Sequence, residues 1–282
     1  MNILGIVTKS HDTGLALLQS GQPAYILEEE RFNRQKHTLE FPTNCLDAIF
    51  GDGRLSFDDI DVVTTPWEMD RLRPTFYNNV TSNLPSSLNL LRPAAHRVQA
   101  SAIVNLPFRL WMGLGKRYGY RKVPKIVQVS HHNAHAAVFN VSPFEEAAVL
   151  VMDGYGDDTS TSGYIGQGTR IERVWQSHFF DSLGMLYTCV TEYLGFKVFE
   201  EGTVMALAAC GGPTYIDRFK DLIQLLPDGQ FRINRDYVSF DTHGLVRPFK
   251  WKFYETFGPP RSRTDPLTDH HRDIARALQA VI

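Results

Sequence analysis

The chain repeats one order of predicted elements, and this repetition limits its possible folds more than any other feature. In the first half, three short apolar runs between residues 3 and 27 predict an antiparallel β-meander, and a helix follows Pro42. In the second half, apolar runs within 147–176 predict another meander, followed by a helix at 185–194. We therefore expect an α/β protein of two related halves, 1–145 and 146–282, with a cleft between them.

Three further segments complete the predicted architecture. Strands are expected at 60–64 and 125–129, and a helix at 96–118. Residues 66–95 are rich in Pro, Asn, Arg and Ser, which predicts an irregular insertion that is either a lid or acceptor-binding element or a surface loop. An amphipathic helix is expected at 269–282.

Charge and cysteine content narrow the class of protein. The chain has 29 Lys+Arg and 31 Asp+Glu, so its net charge of −2 gives no whole-chain reason to expect nucleic-acid or membrane binding, although local basic patches remain possible. The longest apolar run, 147–152, is too short to cross a bilayer, and the first residues do not resemble a signal peptide. Three cysteines without a close pair favour a reducing compartment. We expect a cytoplasmic protein.

The densest group of candidate ligands is a histidine cluster at 131–135. If Ser130 caps a helix there, His131 and His135 lie four residues apart on one face and could bind one divalent ion, with a carboxylate or ligand oxygens completing the shell. Iron, zinc and manganese all suit two imidazoles. His132 points about a quarter turn away and could contact substrate or act as a base. The alternative is a polar helix face that carries histidines by chance.

Two polar turns are candidate phosphate sites. Residues 153–158 follow a buried strand, and their glycines allow a backbone to approach phosphate closely, while a carboxylate there could hold a metal or its water. A comparable turn at 9–14 follows the first strand. Two such turns facing each other would suit ATP, whereas each alone could be an ordinary surface turn.

A charged string occupies residues 28–37. Arg31, Arg34 and Lys36 within it could anchor an anionic group, but from the residues alone a solvated charged edge is favoured.

Several motifs in a fixed order extend over nearly the whole chain. They are Ile3–Ile6 with His11-Asp12, Glu29–Phe32 with Arg34, Lys36-His37 and Phe41-Pro42, His131–Ala136, Asp153–Asp157, Ser182–Tyr187, and Leu194–Phe196. In order and spacing, these motifs resemble those of one family, the carbamoyltransferases of the nodulation-factor and antibiotic O-carbamoylation type.

The resemblance implies an actin/Hsp70-like fold, which is a duplicated ribonuclease H-like fold. It implies transfer of a carbamoyl group from carbamoyl adenylate to a hydroxyl of a small-molecule or sugar acceptor. A YrdC-like domain, in cis or in trans, would make the adenylate from carbamoyl phosphate and ATP. Family members continue past the last matching segment, so the second half is expected to be truncated. The alternative is a non-catalytic nucleotide-binding fragment or partner subunit of the same fold; tRNA modification fits less well.

The resemblance also implies roles for individual residues. His131 and His135 would hold an iron-type divalent ion, and ATP would bring Mg. His11 and Lys36 would lie near the transferred group and the acceptor, with His132 as a third catalytic candidate. Arg31, Arg34 and His37 are the candidate substrate-binding residues. The candidate nucleotide-binding residues are Asp12, Asp153, Gly154, Gly156, Asp157, Gly184 and Gly202.

Overall fold

A computed structural model describes residues 1–8, 11–85, 87–88, 105–243 and 247–282. Lys9 and Ser10 of the first predicted turn, and the parts of the 66–95 and 96–118 predictions within 89–104, lie outside the described residues. Contacts divide the chain into two compact units. Unit 1 comprises Met1–Arg73 and Arg97–His135, and unit 2 comprises Pro74–His96 and Ala136–Ile282.

Unit 1 contains a five-stranded mixed sheet. Its strands are β1 (Asn2–Val7), β2 (Gly14–Gln19), β3 (Gln22–Glu28), β4 (Val62–Thr65) and β5 (Ile126–Gln128), in the order β3-β2-β1-β4-β5. The first three pair antiparallel, which confirms the predicted meander, whereas β1, β4 and β5 run parallel. The carboxyl ends of these three parallel strands therefore meet at one edge of the sheet, the edge at which α/β proteins bind ligands.

Among the described residues, five α-helices lie wholly or partly in unit 1, and two of them continue into unit 2, at Pro74 and at Ala136. They are α1 (Glu29–Asn33), α2 (Thr43–Phe50), α3 (Met69–Ser82), α4 (Leu106–Tyr118) and α5 (His131–Ala136). The prediction of a helix after Pro42 is confirmed, and Cys45, Leu46 and Ile49 form its buried side. Pro107 occupies the first turn of α4, where a missing N–H removes no hydrogen bond.

The irregular conformation predicted around residues 66–95 is wrong for residues 69–82, which form α3. The composition of Pro, Asn and Ser suggested a loop, but Met69, Leu72 and Val80 follow one another at spacings of three and eight residues. That spacing places apolar side chains on one helical face, and Met69 is buried. Periodicity therefore outweighed composition in this segment, although Pro74 lies inside the helix.

A buried carboxylate connects α1 to α2. Glu29 is 1% exposed and accepts hydrogen bonds from the backbone N–H groups of Asn44 and Cys45 and from the Asn44 side chain, at 3.1, 3.0 and 2.6 Å. It thus satisfies donors at the N-terminus of α2 that have no partner within that helix. Burial and the adjacent carboxylate raise the pKa of the Cys45 thiol to about 12, so this cysteine stays protonated.

The Ala136–Ile282 part of unit 2 contains the predicted second meander. Strands β6 (Glu146–Gly156), β7 (Thr159–Gln167) and β8 (Arg170–His178) form an antiparallel sheet in that order, and α6 (Leu183–Tyr193) follows. The sequence of meander and helix in unit 1 therefore recurs. The mixed α/β class is confirmed, and the recurrence is the duplication that an actin/Hsp70-like fold implies.

The rest of unit 2 is mainly helical and surrounds one apolar core. The predicted C-terminal amphipathic helix is confirmed, with Ile274 and Leu278 fully buried. In the aromatic 230–265 segment, Phe253 and Phe257 belong to the core, whereas Trp251 is 73% exposed. None of the helices in the described ranges is both long and apolar enough to cross a membrane. The remaining elements are α7 (Glu201–Ala208), α8 (Ile216–Lys220), β9 (Ile223–Leu225), β10 (Phe231–Ile233), α9 (Phe240–His243), α10 (Trp251–Phe257) and α11 (Asp269–Val281).

Candidate functional site

The two histidines predicted as metal ligands face each other on α5. The Nε2 atoms of His131 and His135 are 3.1 Å apart, and the ring centroids are 4.8 Å apart. Two nitrogens that each lie about 2.1 Å from one ion, at a right angle, are about 3.0 Å apart. The observed separation is therefore close to that expected for two nitrogens that bind one ion at a right angle. His131 is half-buried and His135 is exposed.

A backbone carbonyl fixes the tautomer of His131. Its Nδ1 lies 2.9 Å from the carbonyl oxygen of Pro66, the residue that follows β4. Because a carbonyl only accepts, Nδ1 carries the proton, and a neutral His131 therefore presents a lone pair at Nε2. The Trp67 ring packs beside it at a centroid distance of 4.5 Å. This is the outer-shell arrangement typical of a metal-binding histidine.

His132 lies apart from this pair. It is 1% exposed, and its ring centroid is more than 6 Å from those of His131 and His135. The sequence-based expectation that it points away from the pair agrees with this placement. Its role as a base stays a prediction.

A second cluster joins His11, Asp12 and His37. The Asp12 carboxylate accepts from Nδ1 of His11 at 2.7 Å and from Nδ1 of His37 at 2.8 Å. Burial alone would raise the pKa of the Asp12 carboxyl, but the hydrogen bonds and positive charge of the two histidines outweigh it and lower that pKa. Because an ionised carboxylate only accepts, both rings carry a proton on Nδ1, and Nε2 is the accepting atom of a neutral His11.

The backbone around this cluster is unusual. Asp12, Arg34 and His37 all have positive φ, at 55°, 62° and 55°. Such conformations cost energy for residues other than glycine and concentrate at functional sites. Arg34 takes this conformation as the C-cap of α1, and Lys36 between these positions is exposed. Arg31 is also exposed and pairs with Glu28 at 3.0 Å.

Topology explains why these residues share one region of unit 1. The His11-Asp12 turn follows β1, Pro66 follows β4, and α5 follows β5. All three connections leave the carboxyl ends of neighbouring parallel strands. The histidine pair, its carbonyl partner and the Asp12 cluster therefore extend from the same edge of the sheet.

In unit 2, most of the turn predicted at residues 153–158 is strand instead. β6 continues through Gly156, which pairs with Thr159, and only Asp157 and Asp158 form the turn. The register is irregular between Met152 and Gly156, so residues 153–155 form a bulge. Backbone hydrogen bonds to β7 hold both ends of this segment. The Gly and Asp content of residues 153–158 had indicated only a turn.

This bulge contacts the beginning of α6. The Ser182 hydroxyl caps α6 by accepting from the Met185 N–H at 2.9 Å and donates to the Gly154 carbonyl at 2.5 Å. A Cβ added at Gly184 would lie 3.0 Å from backbone atoms of Asp153 and Gly154. The structure thus brings Asp153, Gly154 and Gly184 together, whereas Gly202 lies separately in α7.

We expect opposite effects of alanine at two of the predicted nucleotide-binding glycines. Gly184→Ala forces a methyl group against rigid backbone and should lower the free energy of unfolding by about 1–3 kcal/mol. Gly202→Ala is its matched control, because an added Cβ meets nothing within 4 Å and alanine favours the helix, giving a gain of up to about 1 kcal/mol. Urea denaturation of both variants measures the difference, and equal stabilities would contradict the close approach at Gly184.

Three contributions were absent from the sequence-based interpretation. Glu29 as a cap, the Pro66 carbonyl as a histidine partner and the contact of Asp12 with His37 all depend on residues distant in sequence. A fourth, the Ser182 cap, had a local signal, because a serine just before an apolar helix is a common N-cap.

Comparison with known proteins covers almost the whole chain. The family model described as Carbamoyltransferase N-terminus matches residues 2–282. Protein sll1178 of Synechocystis sp. is 36% identical, over 99% of this chain and 46% of that protein. Nodulation protein NolNO of Sinorhizobium fredii is 29% identical, over 98% of this chain and 37% of that protein. The chain therefore spans less than half the length of these relatives. Among solved structures, YeaZ from Pseudomonas aeruginosa matches with a TM-score of 0.34 and 14% identity, over 63% of this chain and 66% of that chain.

Proposed function

Because the chain belongs to the family of carbamoyltransferase N-termini, we propose that it carries the metal-binding and acceptor-binding part of an O-carbamoyltransferase. The acceptor is a hydroxyl of a small molecule or sugar, and the donor is carbamoyl adenylate. The observation that carries this proposal is the His131–His135 pair, whose Nε2 atoms are close enough to bind one shared ion.

The residues of this pair suit a borderline divalent cation. His131 already presents a lone pair at Nε2, and His135 would present one in the tautomer with its proton on Nδ1. Imidazoles suit iron, zinc or manganese, with iron favoured by the family resemblance. Bound there, such an ion would supply positive charge beside nucleotide phosphates.

The Asp12 cluster supplies groups for the transfer itself. The acceptor oxygen attacks the carbamoyl carbon and forms the new C–O bond, while the bond from that carbon to the phosphate oxygen breaks and AMP leaves. The proton of the attacking hydroxyl passes to Nε2 of His11, whose Nδ1–H is held by Asp12. Lys36 stabilises negative charge on the carbonyl oxygen, and His37, Arg31 and Arg34 hold the acceptor or donor.

Nucleotide contacts in unit 2 are part of the same proposal. The Asp153-Gly154 bulge and the beginning of α6 place backbone groups and a carboxylate together, as Mg-nucleotide binding needs. Gly156, Asp157 and Gly202 remain candidates from the family resemblance.

A transfer assay tests the proposal. The chain is supplied with labelled carbamoyl phosphate, ATP and a YrdC-like partner, and offered small hydroxyl compounds, sugars and tRNA side by side. We expect labelled carbamoyl on a small or sugar acceptor and one AMP per transfer. The matched control is the same mixture without the chain. Label on tRNA alone would reassign the acceptor, and nucleotide binding in calorimetry without transfer to any acceptor would favour the non-catalytic alternative.

A further inference from the structure

The segment from Asn105 to Val129 differs in charge from the rest of the chain. It contains six basic residues and no acidic residue, although the whole chain has a net charge of −2. Arg117 pairs with Asp47, and Lys122 pairs with Asp58. Within the part of the chain that the structure describes, no ion pair involves the other four. These four are Arg109, Lys116, Arg121 and Lys125, and all are exposed.

Helix α4 carries this charge next to exposed aromatic rings. One stripe of the helix, Leu106, Leu110 and Leu114, is fully buried and fastens the helix to unit 1. Away from that stripe, Phe108 is 62% exposed and Trp111 is 39% exposed. Aromatic and basic residues therefore share the solvent side of one anchored helix.

The third ring comes from the segment after the helix. Gly115 lies seven residues after Phe108, on the same side of the helix, and a Cβ at Gly115 would overlap the Tyr120 ring. Tyr120 is 42% exposed and lies over this glycine. The ring centroids are 6.2 Å apart for Phe108 and Trp111 and 4.8 Å apart for Trp111 and Tyr120. Three aromatic rings thus form one continuous exposed row.

Arg109 and Lys116 lie beside this row. They are seven residues apart on one side of α4, each next in sequence to a position of the aromatic row. From Phe108 to Lys116 the helix rises by about 12 Å, so rings and positive charges extend over about that length. We call Phe108, Trp111, Tyr120, Arg109 and Lys116 the aromatic–basic surface.

We propose that the aromatic–basic surface binds the anionic surface of a lipid bilayer. Tryptophan and tyrosine rings are favourable at the level of lipid headgroups, where an apolar body meets water. Arginine and lysine beside them attract anionic headgroups over a short range. The buried leucine stripe keeps the helix on unit 1, so the protein attaches peripherally and the helix does not enter the bilayer.

Single-stranded nucleic acid is a weaker match for the same charge. A base binds by stacking on an open aromatic face. Here the Phe108 and Trp111 planes are nearly parallel, at 28°, and Trp111 is also covered by Tyr120. Neighbouring rings thus partly cover the ring faces on which a base would stack. A bilayer interface can also contact the ring edges.

Vesicle binding by the purified chain tests this proposal. We expect the chain to sediment with vesicles of phosphatidylcholine and phosphatidylglycerol, less so as salt rises, and not with phosphatidylcholine alone. Arg109→Glu with Lys116→Glu should weaken binding about tenfold or more. Phe108→Ser with Trp111→Ser should weaken it at unchanged net charge.

The matched charge control is Arg170→Glu with Lys250→Glu. Both residues are exposed in unit 2, and this variant has the same net charge as the other charge-reversal variant. It should bind like the unaltered chain, and all variants should keep its melting temperature. The proposal is overturned if the unaltered chain does not bind the mixed vesicles, or if the control loses as much binding. It is also overturned if both test variants retain binding, or if the surface prefers a single-stranded oligonucleotide to the vesicles.

Discussion

Replacing His131 and His135 together with alanine is expected to remove divalent metal binding. Both Nε2 atoms converge at 3.1 Å, so the double variant deletes the two nitrogen ligands of the proposed site. In other proteins, removing a residue that only hydrogen-bonds to a metal ligand lowers metal affinity by about 10–100-fold. Removing both ligands should therefore lower the metal affinity of this chain by about hundredfold or more. Titration calorimetry with Mn²⁺ and Zn²⁺, together with metal analysis of the purified chain, measures it.

A control defines what such a loss means. His178→Ala with His270→Ala removes two imidazoles from unit 2 and should leave metal binding unchanged. If the His131/His135 variant retains the metal content of the unaltered chain, the metal proposal is wrong. The transfer assay is scored separately, so a failed metal site and a failed carbamoyl transfer are distinguishable.

Glu29→Ala is expected to lower the free energy of unfolding by about 3 kcal/mol, the second large effect. The substitution removes a buried acceptor and leaves the backbone N–H groups of Asn44 and Cys45 without that partner in the protein interior. Glu29→Gln should also destabilise the protein. Its side-chain NH2 group would face one of the N–H groups that now donate to the Glu29 carboxylate. Urea denaturation followed by far-ultraviolet circular dichroism provides the measurement.

The neighbouring carboxylate offers a matched control for this substitution. Glu28 is exposed and pairs with Arg31 on the surface, so Glu28→Ala should change stability by no more than about 0.5 kcal/mol. A Glu29→Ala variant as stable as the Glu28→Ala variant would show that the cap contributes little.

Local sequence patterns predicted the strands and helices correctly where a single pattern was clear. Short apolar runs and turn residues predicted both meanders, and the spacing of Ile274 and Leu278 predicted α11. The histidine spacing predicted that His131 and His135 share a face, because that geometry is set within a single helical turn. The same reasoning failed for residues 69–82, where composition was given more weight than period.

Local sequence patterns establish the mixed α/β class, the repeated order of elements and the placement of the histidine pair on one helical face. Short apolar runs between turn residues indicate the strands, and the 3.6-residue period indicates the helix faces, so each signal lies within a few neighbouring positions. Only the folded chain shows that Asp12 bridges His11 and His37, that the Pro66 carbonyl sets the His131 tautomer, and that Glu29 is a buried cap rather than part of a charged edge. Apart from the contact between the neighbours His11 and Asp12, each contact joins residues at least 16 positions apart, which strand pairing and chain turns bring together, so no local pattern encodes it.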